Sequence, residues 1–365
     1  MSRPAQALGS PRPRADTYHR EVASITIDVA AASASTLEGN LARGILVGLS
    51  QVEPDASDEI NVNAPSYPAQ FNSPVIRLVD GHDGWPSQSQ AATSTFAIWP
   101  DAPRRARGGT VIWLWDGLEV SGPGWARPWG SLRRRLRLSL ALARADFVAC
   151  TSHALMEDLE RYLRIPKPKL RFMPVGCARV GRLPLAAVRA ARSHYQLPER
   201  YFCCVARRGR RANLKPALAA WRQLARSGQI GLVICHQGLA PAHSEQGLVQ
   251  LGDLGDGDLD LVLGGAIATV HPQVAEAAAY WAVRSMAVGS PAIAAEDGCN
   301  AEIIGPAGVL VGAADIAALA QAMEGFAVDS HRRAEFSQAS LARAQTLSWR
   351  RSVEVMLRLL RQAAK

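Results

Sequence analysis

The chain has 365 residues, of which 48% are hydrophobic and 20% charged, with a formal net charge of +9. That length accommodates two domains of ordinary size, and the composition is that of a globular protein rather than a disordered one. No uninterrupted apolar run reaches the 18 residues of a membrane span, and the first twenty residues hold Pro4, Pro11, Pro13 and several arginines without the apolar core of a secretory signal.

The six cysteines, Cys150, Cys177, Cys203, Cys204, Cys235 and Cys299, are scattered without metal-ligand spacing. Four lie in or beside apolar runs, where a reduced cysteine acts as a small hydrophobe. A reducing, cytosolic compartment is expected, with no metal. The positive charge is uneven: residues 101–215 hold 24 Lys and Arg against 8 Asp and Glu, so the remainder is net negative. Such a concentration suits an anionic partner such as a lipid surface or a diphosphate. Nucleic acid would rest on charge alone, since no recognised motif accompanies it, and none is expected as partner. A solvated arginine-rich face is the plain alternative.

Residues 1–21, rich in proline and arginine, read as disordered. Ser24 to Ala31 reads as the first strand. Glu38-Gly39-Asn40 form a turn before a helix over Leu41 to Leu49, a layout that presents helix N–H groups to an anion or a sugar. Residues 52–105 are less regular, with strands at Ile60 to Asn63 and Val75 to Val79 between proline and serine turns. Thr110 to Trp115 is a buried strand ending at Asp116-Gly117.

Trp125 to Ala145 follows, and its second part is helical. Trp125 and Trp129 flank Arg133, Arg134, Arg135 and Arg137, which alternate with leucines. Basic residues with aromatics beside a helix fit a membrane-surface contact. An amphipathic helix packed on the sheet fits equally. Asp146 to Ser152 is a strand running into a helix over His153 to Tyr162, and Lys169 to Gly176 is a strand. A stretch of small and basic residues, 178–198, marks the domain boundary.

The second half repeats the rhythm. A strand over Tyr201 to Ala206 runs into Arg207-Arg208-Gly209-Arg210-Arg211 and a helix over Asn213 to Ser227. Strands follow at Gly231 to His236 and Val249 to Gly252, then a short helix over Asp256 to Leu263. Ile267 to Val270 is a strand, Val274 to Val288 a helix stopped by Gly289, and Pro291 to Ala295 another strand. Gly308 to Val311 is a strand, Asp315 to Phe326 a helix, and Arg350 to Ala363 the last helix. The two runs of alternating strands and helices predict an α/β chain of two Rossmann-like domains.

The order of these parts resembles family 4 glycosyltransferases, retaining and metal-independent sugar transferases of GT-B architecture, with two Rossmann-like domains facing across a cleft. The resemblance covers residues 24 to 363. It implies a first domain over 22–185 for the acceptor, a second over 186–345 for the donor, and a helix over 346–365 bracing the first. Gly39 and Arg43 match the acceptor-side turn and helix. Where the family has His-Asp after the Thr110 strand, this chain has Trp115 and Asp116; a tryptophan cannot shuttle a proton but can stack on a sugar. Ala145-Asp146, Ser152, Ile165-Pro166 and Lys169 match a further run. Arg211 and Asn213 match the start of the diphosphate-binding helix, with Ala206 for its glycine and Ala212 for its lysine. Arg207, Arg208 and Arg210 could supply the missing charge or lie at the surface.

The family carries two glutamates eight residues apart, about 12 Å along a helix, one for the sugar and one for the nucleotide ribose. Here the first is Glu276 and the second position is Arg284. Ala277-Ala278-Ala279 stand where the family has a glycine-bearing turn, and alanines favour an early helix start. Arg284 could donate to a ribose or phosphate oxygen, or pair with Glu276 and close the site. Glu302 and Gly308 to Val311 match the family's closing run. The resemblance implies a nucleotide-sugar as co-substrate without other cofactor, and a glycan or lipid-linked acceptor in cell-surface polysaccharide assembly. The location implied is cytoplasmic, peripheral on the inner face of the membrane. The altered donor residues leave a second reading open, an inactive transferase-like protein that binds or activates a partner glycosyltransferase.

Overall fold

A computed structural model of the chain describes residues 24–29, 37–56, 58–63, 76–79, 94–98, 108–116, 131–177, 180–206, 212–225, 230–236, 246–274 and 278–365. The apolar runs form two sheets in which every pairing is parallel. The first contains β1 (Ser24–Asp28), β2 (Glu59–Asn63), β3 (Ile76–Val79), β4 (Ser94–Ile98), β5 (Gly109–Leu114), β6 (Phe147–Cys150) and β7 (Leu170–Phe172), in the spatial order 3-2-1-4-5-6-7. The second contains β8 (Arg200–Ala206), β9 (Ile230–His236), β10 (Leu248–Leu251), β11 (Thr269–His271), β12 (Ala292–Ala295) and β13 (Gly308–Val311), in the order 10-9-8-11-12-13. Each sheet therefore reverses its winding beside its own first strand, between β1 and β4 and between β8 and β11. At such switch points the strand ends diverge and leave a crevice.

The connecting helices are α1 (Leu37–Ser50), α2 (Ser131–Arg144), α3 (His153–Leu163), α4 (Leu185–His194), α5 (Leu214–Ala225), α6 (Asp256–Gly264), α7 (Tyr280–Ala287), α8 (Asn300–Ile304), α9 (Ile316–Val328), α10 (Ser330–Gln345) and α11 (Trp349–Ala363). Strands buried on both faces explain the near-continuous apolar runs: apart from their first residues, β8 and β9 are buried along their whole lengths.

Four sequence expectations need correction. The stretch 178–198, read as the domain boundary with no element of its own, contains α4. Glu38, Gly39 and Asn40 are the first turn of α1 rather than a turn before it. The strand expected from Lys169 to Gly176 is only the three residues of β7, preceded by a tight turn over Lys167–Lys169. The helix expected from Val274 starts at Tyr280. Ala279 precedes it in a left-handed conformation, φ 45° and ψ 33°, which costs a non-glycine residue about 1–2 kcal/mol. The alanine run thus keeps the turn despite its helical propensity, and Arg284 is not eight continuous helical residues from position 276.

The last helix crosses back onto the first domain. Trp349 opens α11, with Ser348 accepting from the Arg351 backbone N–H as its N-cap. The Trp349 ring lies over Gly44 of α1 and meets Trp113 of β5 edge-on at 6.0 Å. A Cβ at Gly44 would fall 2.1 Å from Trp349 Cε2, and one at Gly176 would fall 2.2 Å from the Trp349 nitrogen. Beside this contact the chain passes twice between the domains, at Cys177 and Ser348, which pair as an isolated parallel bridge with Cys177 N–H donating to Leu347 O at 3.0 Å. Arg361 closes the far end of α11 on buried Asp58, its Nε 2.9 Å from Oδ2. Gly44→Ala should lower stability by about 1–3 kcal/mol, the usual cost of overpacking a tight contact. Urea unfolding checks this, and an unchanged midpoint would show that the α1–α11 contact yields freely.

Candidate functional site

The carboxyl ends of the two sheets face each other. On the first domain β6 runs into Thr151-Ser152 and then α3, whose N-cap Ser152 accepts from the Leu155 N–H at 3.2 Å. On the second domain β12 runs into α8, which carries Glu302. The Glu302 carboxylate spans the gap: Oε2 accepts from the backbone N–H of His153 at 2.8 Å and of Ala154 at 3.3 Å, and Oε1 lies 2.7 Å from His153 Nδ1. A carboxylate on the exposed N–H groups of a helix N-terminus is favoured by their partial positive charge. The His153 ring stacks on Phe172, centroids 4.4 Å apart. Arg343 steadies α8 from behind, donating to the carbonyls of Glu302 and Ile303 at 2.7 and 2.8 Å. Glu302, expected as a donor contact, thus serves here as a contact between the domains.

Arg284 is closely held in the cleft. Its side chain is only 10% exposed. Nε donates to Asp260 at 2.6 Å, Nη1 donates to Asp256 at 2.6 Å, and Nη2 donates to the Asp256 carbonyl. Burial works to lower the pKa of this guanidinium. The negative charge of Asp260 and Asp256 outweighs it, so the pKa lies above its ordinary value and the group stays charged. Burial likewise pushes the Tyr280 phenol up to about 12, which keeps its proton on. Asp256 is 56% exposed and also faces the first domain, with Arg43 Nε 3.6 Å from its Oδ2. Arg43 in turn donates to Asn40 Oδ1 at 2.8 Å. Around these groups lies a cavity of about 160 Å³ between the domains, lined by Asn40, Arg43, Asp256, Asp260, Arg284 and Trp349 among others.

Arg284, expected at the ribose position or paired with Glu276, is held by two aspartates of α6. Asp256 and Asp260 were not singled out from sequence. Their four-residue spacing on an expected helix was the available signal, because two like charges on one helical face call for a cation between them. His153 was missed for another reason: nothing local to it marks a partner 149 residues away.

Asn213 sits at φ 48° just before α5, a conformation asparagine tolerates better than most residues. Its Nδ2 donates to the carbonyls of Pro272 and Ala313, both at 2.9 Å. It therefore ties the loop after β11 to the loop after β13. Gln273 adds a buried bond from its Nε2 to Val205 O at 2.6 Å. His271 at the end of β11 is buried, which pushes its pKa down to about 3 and keeps the ring neutral. On the opposite wall Gly39 is buried in α1, and Asp116 is partly exposed at the end of β5. Trp115 is only 4% exposed and packs in the main core, so its ring offers no face for stacking on a sugar, contrary to expectation.

Glu276, Arg207, Arg208, Arg210, Arg211, Trp125 and Trp129 lie outside the described residues, as does the Arg134 side chain. Arg135 is not a free surface cation, since its Nη2 donates to the Tyr162 carbonyl at 3.2 Å. Among the described residues no group of three or more His, Cys, Asp or Glu is placed to hold a metal ion, and no helix is long and apolar enough to cross a membrane.

If Arg284 is a structural counter-ion, Arg284→Met should cost about 3 kcal/mol in unfolding free energy. That is the lower end for breaking a buried pair, because half-exposed Asp256 rehydrates. Arg284→Lys should recover only part, since an ammonium cannot serve both carboxylates and the carbonyl in one plane. Equal stability of all three proteins would show that the guanidinium is not needed for the packing.

Residues 191–343 match the family model described as glycosyl transferases group 1. Comparison with curated protein sequences gives no match. Among solved structures, sucrose-phosphate synthase from Thermosynechococcus elongatus is similar with a TM-score of 0.70 at 18% identity, covering 93% of this chain and 98% of that one. A glycosyltransferase from Rickettsia africae ESF-5 gives 0.66 at 12% identity, over 94% and 99% of the two chains. HepE from Anabaena, in a structure with UDP and glucose, gives 0.66 at 14% identity over 93% and 100%. The chain thus has the two-domain GT-B fold, with the match to the glycosyl transferases group 1 model falling in its second domain.

Proposed function

We propose that the protein is a retaining glycosyltransferase. It would move a sugar from a nucleotide-sugar to a glycan or lipid-linked acceptor of a cell-surface polysaccharide, without a metal, in the cytoplasm and peripherally at the inner face of the membrane. The observation that carries this reading is the group 1 domain over residues 191–343, placed so that its strand ends face those of the first domain. The structural neighbour HepE holds UDP and glucose, which supports a nucleotide-sugar as donor.

In this reading the donor lies at the switch point between β8 and β11. The turn after β8 carries Arg207 and Arg211, whose guanidinium groups would neutralise the diphosphate, aided by the N–H groups at the start of α5. Asn213 would act indirectly, by fixing the loop after β11 that leads to Glu276. The Glu276 carboxylate would sit at the transferred sugar. The bond from the anomeric carbon to the phosphate oxygen breaks, the acceptor oxygen bonds to the same carbon, and the acceptor proton leaves with the diphosphate. Asp116 would stand on the acceptor side with Gly39 and Arg43. Leaving-group charge is met by fixed cations and helix N–H groups, which need no reorganisation during the step.

One observation favours a second reading. Arg284, where the family has a carboxylate, is engaged by Asp256 and Asp260. A chain that bound no donor, and instead bound or activated a partner transferase, would have no use for a ribose contact at this position.

Calorimetry with a panel of nucleoside-diphosphate sugars separates the two. The transferase reading expects binding of at least one donor, weakened by about 1.5–3 kcal/mol in Arg211→Ala, the cost of losing a charged hydrogen bond. It also expects slow release of nucleoside diphosphate that Glu276→Gln abolishes. Absence of binding across the panel at millimolar concentration would contradict it and leave the partner-binding reading.

A further inference from the structure

Helix α2, Ser131–Arg144, has two unlike faces. Leu138 and Leu142 are fully buried and pack with Ile112, Leu114, Val148 and Leu159 into a satellite core of the first domain. The opposite side is exposed at Arg133, Leu136, Arg137, Leu140, Ala143 and Arg144. Spacings of three and four residues put these on one stripe of the helix. Leu136 is 61% exposed and Leu140 49%. With Tyr162, also exposed, they make three of the five large hydrophobic side chains that stand out among the described residues. Arg135 of α2 donates to the Tyr162 carbonyl, which ties the end of α3 to α2.

The helix is firmly held. Lys169 Nζ donates to Ala143 O at 2.9 Å and to Ala145 O at 2.7 Å, closing its C-terminal end. Its sequence, SLRRRLRLSLALAR, contains no acidic residue. A rigid face of leucines between arginines, with no acidic residue to pair a basic partner, calls for an occupant that is anionic over an extended area. It is poor for a second copy, which would bring arginine against arginine. It suits a layer with apolar depth and anionic headgroups: leucines reach the acyl boundary while guanidinium groups meet lipid phosphates.

We propose that the exposed stripe of α2, formed by Leu136 and Leu140 with Arg133, Arg137 and Arg144, docks the first domain on an anionic lipid surface. The reading deepens the proposed lipid-linked acceptor by placing the acceptor-side domain on the bilayer. It rests on the helix alone, so it stands or fails apart from the transfer chemistry.

The test is co-sedimentation of the full chain with vesicles, either of phosphatidylcholine alone or with phosphatidylglycerol added. Wild type should bind the anionic vesicles at low salt and be released as salt rises. The triple variant Arg133→Gln, Arg137→Gln, Arg144→Gln should bind roughly a hundredfold more weakly, since each arginine near an anionic surface contributes a several-fold effect. The double variant Leu136→Ser, Leu140→Ser should bind at least about tenfold more weakly even at low salt, which pure counter-ion attraction would not produce. All substituted side chains are exposed, so thermal midpoints should stay unchanged. Wild type remaining in the supernatant, or both variants sedimenting like wild type, would overturn the proposal. So would a leucine variant that changes oligomeric state while vesicle binding is unaltered.

Discussion

The geometry of the cleft depends on the closeness of Trp349 to Gly44. An indole ring lying against a helix backbone leaves no room for a side chain on α1 at that point. The contact makes the terminal helix, which follows the whole second domain in the chain, part of the first domain's core. With the double crossing at Cys177 and Ser348, it holds the two sets of strand ends opposite each other. Polar contacts across the cleft, Glu302 on α3 and Arg43 on Asp256, join the same two domains.

Within that frame, charge in the cleft is distributed in two ways. One cation, Arg284, is consumed by the protein itself: two carboxylates four residues apart on α6 would repel, and the planar guanidinium satisfies both. One guanidinium against two carboxylates leaves a negative charge, which Arg43 beside Asp256 offsets, so the cluster has little attraction for a diphosphate. The cations proposed for a ligand are instead Arg207 and Arg211, which follow β8 in the sequence and lie outside the described residues. An arginine in place of a glutamate therefore removes an acceptor from α7 without adding a free positive charge.

Much of the architecture was legible in the residues. The strands of the second domain are continuous apolar runs, as in YFCCVA and GLVICH, because both faces of a parallel sheet are covered. What escaped had physical causes. β4 reads STFAI, and its serine and threonine are fully buried in the sheet, so hydrophobicity alone did not mark it. α4, LAAVRAARSH, is mostly exposed and built from small and basic residues, so it read as the domain boundary rather than as a helix. The start of α7 was misplaced because local propensity favoured helix through the alanines, whereas Ala279 is held in a left-handed turn. In the site, resemblance identified the positions of Arg284 and Glu302 but not their partners. Those partners lie 28 and 149 residues away and are set by packing, not by local pattern.

The central claim is that Arg284 is an interior counter-ion and that the diphosphate is met elsewhere in the cleft. A crystal structure with a nucleoside diphosphate bound tests it most directly. The account predicts that Arg284 Nε and Nη1 stay within hydrogen-bond distance of Asp260 and Asp256, while the phosphates lie at the turn between β8 and α5. An Arg284 side chain released from both aspartates and bound to a phosphate through two parallel hydrogen bonds would contradict it.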